Sequence, residues 1–213
     1  MNQKVFVFRV SKGHEGGSPK GHCPLDYSNV KQRIKKLTRD EITPIDYDGC
    51  EKFVQEQLWN QNILRQGWGL EDLDLVLDTK VWIENYMFNG KRFWDANISC
   101  DLAKGRLNIL RRMLDIRIND IIILPKTSES NIDDYHRFSV CQLDSEYYFD
   151  SNNEYSDFGH CLKVKNLKSF GYNKDTLLSG DFGSPYLWAI TEVREYHSRY
   201  SRFIDFLEKN YIM

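Results

Sequence analysis

Clustered cations are the residues of this 213-residue chain whose type and spacing most clearly offer chemistry. One stretch, RLNILRRMLDIRINDIIILPK, runs from Arg106 to Lys126 and holds a group of them. Guanidinium groups bind phosphates bidentately, so such a group could contact phosphates on either side of an extruded base. The alternative is a solvated helix face. The candidates are Arg106, Arg111, Arg112, Arg117 and Lys126.

The charge of the whole chain sets a limit on this idea. The formal net charge is −2, so any contact with a polyanion requires a local basic patch. A second basic tract lies in the presumed loop region near the amino terminus. Its members are Lys12, Lys20, Lys31, Arg33, Lys35 and Lys36.

Aromatic side chains supply the second kind of chemistry, since they make up 14% of the chain. Trp68 lies between Gly67 and Gly69, where little neighbouring backbone would cover its ring, and an uncovered indole can stack on a base. The alternative is a core residue that plugs the end of a barrel. Trp82 and Trp94 could line the same pocket or belong to the core.

Polar and aromatic residues of the second half could contact the edge of a base. Tyr148 lies in the alternating segment EYYFD, so it faces either a ligand or water. Asp157 and His160 flank a Phe-Gly pair before a predicted strand and offer hydrogen-bonding groups. The alternative is that Asp157 caps a turn and His160 has a structural role.

A hydrolytic alternative rests on Asp78-Thr79-Lys80, which resembles the second half of the PD-(D/E)xK nuclease motif. In that motif carboxylates hold a metal ion and the lysine supports the attacking water. Asp74 would join them, and Asp46 or Asp48 would supply the earlier acidic residue. An aspartate at a helix N-terminus explains Asp78 equally well.

Other catalytic and metal-binding patterns give no candidate. His14, His22 and Cys23 lack a fourth zinc ligand at suitable spacing, and GxSxG, P-loop and GxGxxG motifs do not occur. The five cysteines are scattered, which favours reduced thiols and a cytoplasmic protein. No apolar run approaches the ~20 residues that span a bilayer, so we expect no membrane. We also expect no cofactor and no catalytic residue, and a binding module is favoured over an enzyme.

The elements that position these residues follow from periodicity. Helices are predicted at 48–66, where Gly67–Gly69 would end the helix, at 101–114, and from Pro185 to the end of the chain. Residues 70–99 fit helix or strand. Strands are predicted at 4–10, 120–126, 136–143, 146–150 and 160–167, and their short spacing indicates an antiparallel meander that curls into a small barrel.

The segments IRINDIIILPK, RFSVCQLDSEYYFD and DFGHCLKV together resemble the PUA-like superfamily, in its EVE and YTH branches and the modified-base-reading domains of methylation-dependent restriction enzymes. Asn119-Asp120 stands where those domains have Gly-Asp, and asparagine tolerates the left-handed conformation. The resemblance covers roughly 106–164. It implies an α+β fold, a small curved antiparallel β-barrel flanked by helices, with a flipped nucleotide in an aromatic pocket.

Residues 1–183 are therefore predicted to form a PUA/EVE-like nucleic-acid-recognition domain. Residues 184–213 are predicted to form a long amphipathic helix that packs on this domain or on a partner. The expected function is to recognise a modified or flipped base, in DNA rather than RNA, for a restriction or phage-defence system with a nuclease or NTPase as partner. A protein-interaction domain without nucleic acid is a third hypothesis, which binding insensitive to salt would favour.

Overall fold

The computed structural model describes residues 3–10, 47–94, 98–152, 158–186 and 189–211. The strands are β1 (Val5–Phe8), β2 (Ile63–Gln66), β3 (Ile121–Pro125), β4 (Arg137–Leu143), β5 (Tyr148–Phe149), β6 (His160–Gly171) and β7 (Ile190–Glu192). The helices are α1 (Tyr47–Gln61), α2 (Thr79–Trp94), α3 (Cys100–Leu110) and α4 (Tyr200–Asn210). Short 3₁₀ helices span Arg111–Asp115 and Ser179–Phe182.

The strands form one curled, mixed sheet with the shape of a half-barrel. Its order is β2-β6-β4-β3-β1-β7, and β5 pairs with β6. The predicted α+β class and the curved sheet are confirmed. The all-antiparallel pattern is wrong at one pair, because β1 and β3 run parallel. Within the described residues, helices α1, α2 and α3 lie between these two strands in the sequence. Parallel neighbours require such a long crossover connection.

Both faces of the central strands are buried. Phe6 and Phe8 of β1 point into a core shared with α1, α2 and α3, whereas Val5 and Val7 point into a second core under α4. A strand buried on both faces loses its polar alternation, which explains the continuous apolar run of β3. The helices therefore sandwich the middle of the sheet.

The predicted helix at 48–66 is too long. Helix α1 ends at Gln61, and residues 63–66 form β2, which pairs with β6. Asn62 separates the two elements with a φ of 57°. Asparagine tolerates this left-handed conformation and commonly ends helices, so the stop precedes the Gly67–Gly69 segment to which the sequence analysis assigned it.

The long helix predicted from Pro185 is wrong over its first half. Residues 190–192 form β7, which pairs with β1 in the register Val7↔Thr191, and α4 begins only at Tyr200. Phe203, Phe206 and Leu207 of α4 are buried in the second core. Within this structure the apolar face of the helix therefore packs on the sheet.

The junction that opens β3 matches its prediction. Asn119 has a φ of 73°, the left-handed conformation expected where the resembled domains have glycine. The buried carboxylate of Asp120 accepts hydrogen bonds from the backbone N–H groups of Lys4 and Arg117, each at 2.9 Å. Asp120 thus joins the start of β1 to the turn before β3.

Two further properties concern only the residues that the structure describes. Cys100, Cys141 and Cys161 are free thiols. None of the helices in these ranges has the length and apolarity that a membrane crossing requires.

Candidate nucleic-acid interface

Trp68 lies just beyond β2 in the first core with only 5% of its surface exposed, so the prediction that its ring is uncovered is wrong. Its φ of 65° is rare for a bulky side chain. The guanidinium carbon of Arg106, on α3, lies 4.1 Å from the centre of the indole ring. This distance is within the range of a cation–π interaction. The structure thus brings together two predicted site residues, with the arginine on the face of the tryptophan.

His160 joins the same group through a chain of hydrogen bonds. Its Nε2 lies 3.3 Å from the Trp68 carbonyl oxygen, which can only accept, so Nε2 carries the proton. Nδ1 is then the acceptor for the Tyr147 hydroxyl at 2.9 Å. The backbone N–H of Leu75 donates to the Tyr147 oxygen at 3.3 Å. The chain fixes the Trp68 backbone from inside the core.

Burial keeps the side chains of His160 and Tyr147 neutral. Loss of solvent lowers the pKa of His160 to about 3, although the hydrogen bond to the Trp68 backbone opposes the shift. Burial raises the pKa of Tyr147 far above its usual range. Neither side chain therefore contributes charge to the cluster, whereas Arg106 does.

Two glycines allow the loops of this region to meet. A Cβ atom on Gly69 would lie 2.7 Å from the backbone nitrogen of Gly159. A Cβ atom on Gly159 would lie 2.3 Å from the carbonyl oxygen of Gly69. A side chain at Gly69 or Gly159 would therefore push the two backbones apart. The absence of side chains at these positions lets the loops approach closely and places Trp68 beside His160.

Gln66 is a candidate that the sequence analysis missed. It pairs with His160 across β2 and β6 and is 3% exposed. Its side-chain oxygen, Oε1, is buried without a hydrogen-bond partner. A buried acceptor left unpaired costs about 1–3 kcal/mol, so such atoms are uncommon in folded proteins. We call Gln66, Trp68, Arg106, Tyr147 and His160 the Trp68 cluster.

Trp82 has a different environment. It is fully buried, its indole N–H donates to the Leu73 carbonyl at 2.8 Å, and its ring stacks on Tyr86 at 4.8 Å between centroids. These contacts match the core alternative. Trp94 is the last residue of α2, but its side chain lies outside the described part of the structure, as does all of Asp157.

The cations predicted to bind phosphate have distinct surroundings. Arg111 donates to the carbonyls of Leu75 and Leu77 and to the Thr79 hydroxyl, so its guanidinium holds the loop before α2. Arg112 is exposed and donates from Nη1 to the Ile190 carbonyl at 2.7 Å.

Arg117 is exposed in the turn before β3. Lys126 follows β3, with its Nζ 4.0 Å from the centre of the Tyr135 ring. The predicted patch is therefore divided between the flank of α3, the edge at β7 and the far end of β3.

Tyr148 belongs to another group, centred on a buried arginine that the sequence analysis also missed. Arg65 of β2 donates to Gln57, to the Phe158 carbonyl and to Asp150, the last at 2.8 Å. Tyr148 is half-buried beside it. Burial is the main cause that raises the pKa of Tyr148 to about 12, and the nearby Cys161 contributes to the same shift. A single arginine within ILRQ carries no local sign of this network, because its partners come from distant segments.

Asp74, Asp78 and Lys80 of the nuclease hypothesis have structural roles, while Asp46 and the side chain of Asp48 lie outside the described part of the structure. Asp78 accepts hydrogen bonds from the backbone N–H groups of Lys80 and Val81, as a residue that caps the start of α2 does. Lys80 is largely exposed and its Nζ lies 3.9 Å from Glu84. Asp74 accepts from the backbone of Val76. In the described part of the chain, no three His, Cys, Asp or Glu side chains are grouped to hold a metal ion.

The fold and this geometry define an α+β protein with a helix-covered half-barrel and a cationic side chain stacked on a buried tryptophan. Comparison of the chain with protein-family models, curated proteins and solved structures finds no match.

Proposed function

We propose that the chain is a nucleic-acid-binding module that recognises an extruded base at the Trp68 cluster. The observation that carries this proposal is the guanidinium of Arg106 stacked on the Trp68 ring at 4.1 Å. A guanidinium is flat and stacks on aromatic faces, as a base does. When Arg106 turns away from the ring, a base can take its place and the guanidinium can pair with a neighbouring phosphate.

The unpaired oxygen of Gln66 supports the same position. Base edges present N–H donors, and glutamine side chains contact them through the amide group. A donor on an inserted base would satisfy Gln66 Oε1, which has no partner in this structure. The interaction would offset the desolvation of that oxygen, so the cluster is better paired with a base than without one.

The exposed cations near α3 would contact the backbone on either side. Lys104 lies on α3 and Arg117 follows it in the turn before β3, and both are exposed. Phosphate contacts position a nucleic acid without selecting its sequence. Arg111 is assigned a structural role instead, because its guanidinium binds the loop before α2.

The preference for DNA, for a modified base, and the role in restriction or phage defence with a nuclease or NTPase partner come from the PUA-like resemblance alone. The structural support is limited to fold class: this chain has a curved α+β sheet, as expected from the resemblance to PUA-like domains. The nuclease hypothesis has no such support, since Asp78 caps a helix and Lys80 pairs with Glu84.

A binding assay tests the proposal. Fluorescence polarisation would compare duplexes with unmodified, methylated, hydroxymethylated and glucosylated cytosine against a single strand. Arg106→Gln should weaken binding and reduce the slope of log affinity against log salt by about 1. Lys163→Gln, at an exposed lysine of β6, is the matched control and should have no effect.

Three results would contradict the proposal: no binding to any of these nucleic acids, unchanged affinity in Arg106→Gln, or an equal loss in Lys163→Gln. The same samples with Mg²⁺ or Mn²⁺ examine the nuclease hypothesis. Cleavage that disappears in Lys80→Ala would replace the binding module with an enzyme, and the exposure of Lys80 makes this variant mild for folding.

A further inference from the structure

A surface pocket of about 300 Å³ lies at the β7 edge of the sheet. This volume is at the lower end of the range of small-molecule sites, about 300–1,000 Å³. No member of the Trp68 cluster lines it. The lining residues that bear on its chemistry are Arg112, Thr191, Glu192, Arg194, Tyr196 and His197.

Thr191 gives the pocket an unsatisfied polar group. The residue is 7% exposed, and its Oγ1 is buried without a hydrogen-bond partner. Its backbone belongs to β7 and pairs with Val7, so the side chain is held in place. A hydroxyl both donates and accepts, and a ligand in the pocket could pair with it in either sense.

Arg112 is the lining cation that has hydrogen-bond donors available for an anion. Glu192 is bound by Arg194, with an Nη2–Oε2 distance of 3.0 Å, and by Lys4 at 3.2 Å. Arg112 and Asp115 complete the charged groups. The two arginines and two carboxylates of the lining balance in charge, and Arg194 is already paired with Glu192. The bond from Arg112 to the Ile190 carbonyl uses one of the five N–H donors of its guanidinium.

An aromatic face and a further donor lie beside these charges. Tyr196 is 75% exposed, and its hydroxyl accepts a hydrogen bond from Arg194 at 3.2 Å. The backbone N–H of Arg194 donates to Nδ1 of His197 at 3.2 Å. The imidazole proton is therefore on Nε2, which leaves an N–H donor at the pocket.

We propose that this pocket binds a nucleotide, with the phosphate at Arg112, the base on the ring of Tyr196, and polar atoms of the ligand at Thr191 Oγ1 and His197 Nε2. A planar heteroaromatic group with an attached phosphate matches the exposed ring of Tyr196, the guanidinium of Arg112 and the two hydrogen-bonding groups together. The site is separate from the Trp68 cluster and does not depend on the function proposed for it.

Isothermal titration calorimetry of the full chain tests this site. The ligands are the four 5′-ribonucleoside monophosphates, with the matching nucleosides and ribose 5-phosphate as partial ligands. The monophosphates should bind more tightly than either partial ligand. Tyr196→Ala should weaken binding about tenfold or more, because base stacking on an aromatic ring is lost. Tyr135→Ala, at another exposed tyrosine, is the control and should bind normally.

Thr191→Val distinguishes a binding role from a structural one. Valine keeps the shape of threonine and removes the unpaired oxygen, so the melting temperature should stay the same or rise. Nucleotide affinity should nevertheless fall severalfold. No binding of any monophosphate, equal binding of nucleoside and nucleotide, or unchanged affinity in both Tyr196→Ala and Thr191→Val would overturn the proposal.

The phosphate and base could belong to a free nucleotide or to the end of a strand. Short single strands with a 5′-phosphate or a 5′-hydroxyl separate these sources in the same titration. Tighter binding of the phosphorylated strand than of the monophosphate assigns the site to strand ends, and the reverse assigns it to free nucleotides. Arg106→Gln should change neither affinity, so failure here is distinct from failure at the Trp68 cluster.

Discussion

Trp68 and Trp82 are both buried, but their surroundings differ. Trp82 stacks on Tyr86, and its indole N–H is paired with the Leu73 carbonyl. Trp68 has a positive φ, a half-buried arginine on its ring, and an unpaired amide oxygen two residues away at Gln66.

Both tryptophans belong to the same buried core, and the difference teaches that one core position can carry features that stability does not require. Around Trp82 the indole N–H is paired and the ring is stacked, so its contacts stabilise the fold. Around Trp68 the backbone strain and the unpaired oxygen oppose stability, and such features concentrate where proteins bind ligands. Variants in the two regions should therefore separate stability from binding, and we order them from the largest expected effect to the smallest.

Trp82→Ala should have the largest effect on folding. It removes a fully buried ring, its stacking on Tyr86 and the partner of the Leu73 carbonyl. We expect a loss of about 3–5 kcal/mol in the free energy of unfolding, measured by urea denaturation. A loss below about 1 kcal/mol would show that Trp82 is not a core residue.

His160 should make stability depend on pH. Its pKa is lowered to about 3 in the folded protein, whereas a histidine in the unfolded chain has a pKa near 6.5. Between these values only the unfolded chain takes up the proton, so the contribution of His160 is complete above pH 6.5 and falls towards pH 3. One proton changes the free energy of unfolding by up to about 1.4 kcal/mol per pH unit.

Denaturation curves of the wild type and His160→Gln between pH 4 and 8 would measure this contribution. Other groups titrate in both proteins, so the difference between the two curves isolates His160. The difference in the free energy of unfolding between the wild type and His160→Gln should decrease as the pH falls. Parallel curves would mean that the imidazole can be protonated in the folded protein.

Arg106→Gln should separate stability from nucleic-acid binding most clearly. A cation–π contact at a partly exposed position contributes about 0.5–1 kcal/mol, so the variant should lose about that much stability in urea denaturation. The same variant should show the reduced DNA affinity described above. A large loss of stability without a change in affinity would place Arg106 with Trp82 as a structural residue.

Gln66→Met should have the smallest effect on folding. Methionine has a similar shape and removes the unpaired oxygen, so the free energy of unfolding should stay constant or rise. DNA affinity should fall, because the base edge loses its acceptor. If the variant is clearly destabilised, Gln66 makes structural contacts through its amide, and its role in binding would be withdrawn.

The sequence predicted much of the fold because several elements carry a local pattern. Strands β3, β4 and β6 and helix α3 lie where periodicity placed them, and Asn119 has the backbone conformation that its residue type allowed. The error at residues 190–192 has a physical cause. Ile190 and Val193 fit a helical spacing, but their segment is an edge strand because it pairs with β1, far away in the sequence.

The candidate site was less predictable for the same reason. Glycines on both sides of Trp68 predicted an uncovered ring, and nothing local showed that the core and Arg106 would cover it. The unpaired oxygen of Gln66 and the Arg65–Asp150 ion pair depend on contacts between segments distant in sequence. Residue types could therefore suggest Trp68 and Arg106 as candidates. The contact between their side chains could not be predicted, because it forms only in the folded structure.

The most direct test of the Trp68 cluster is the indole N–H signal of each tryptophan in a ¹H–¹⁵N NMR titration with the preferred DNA, assigned with Trp68→Phe and Trp82→Phe. We predict that the Trp68 signal shifts as a base replaces Arg106, while the Trp82 signal stays in place. DNA binding that leaves the Trp68 signal unchanged, or moves both signals equally, would contradict the account.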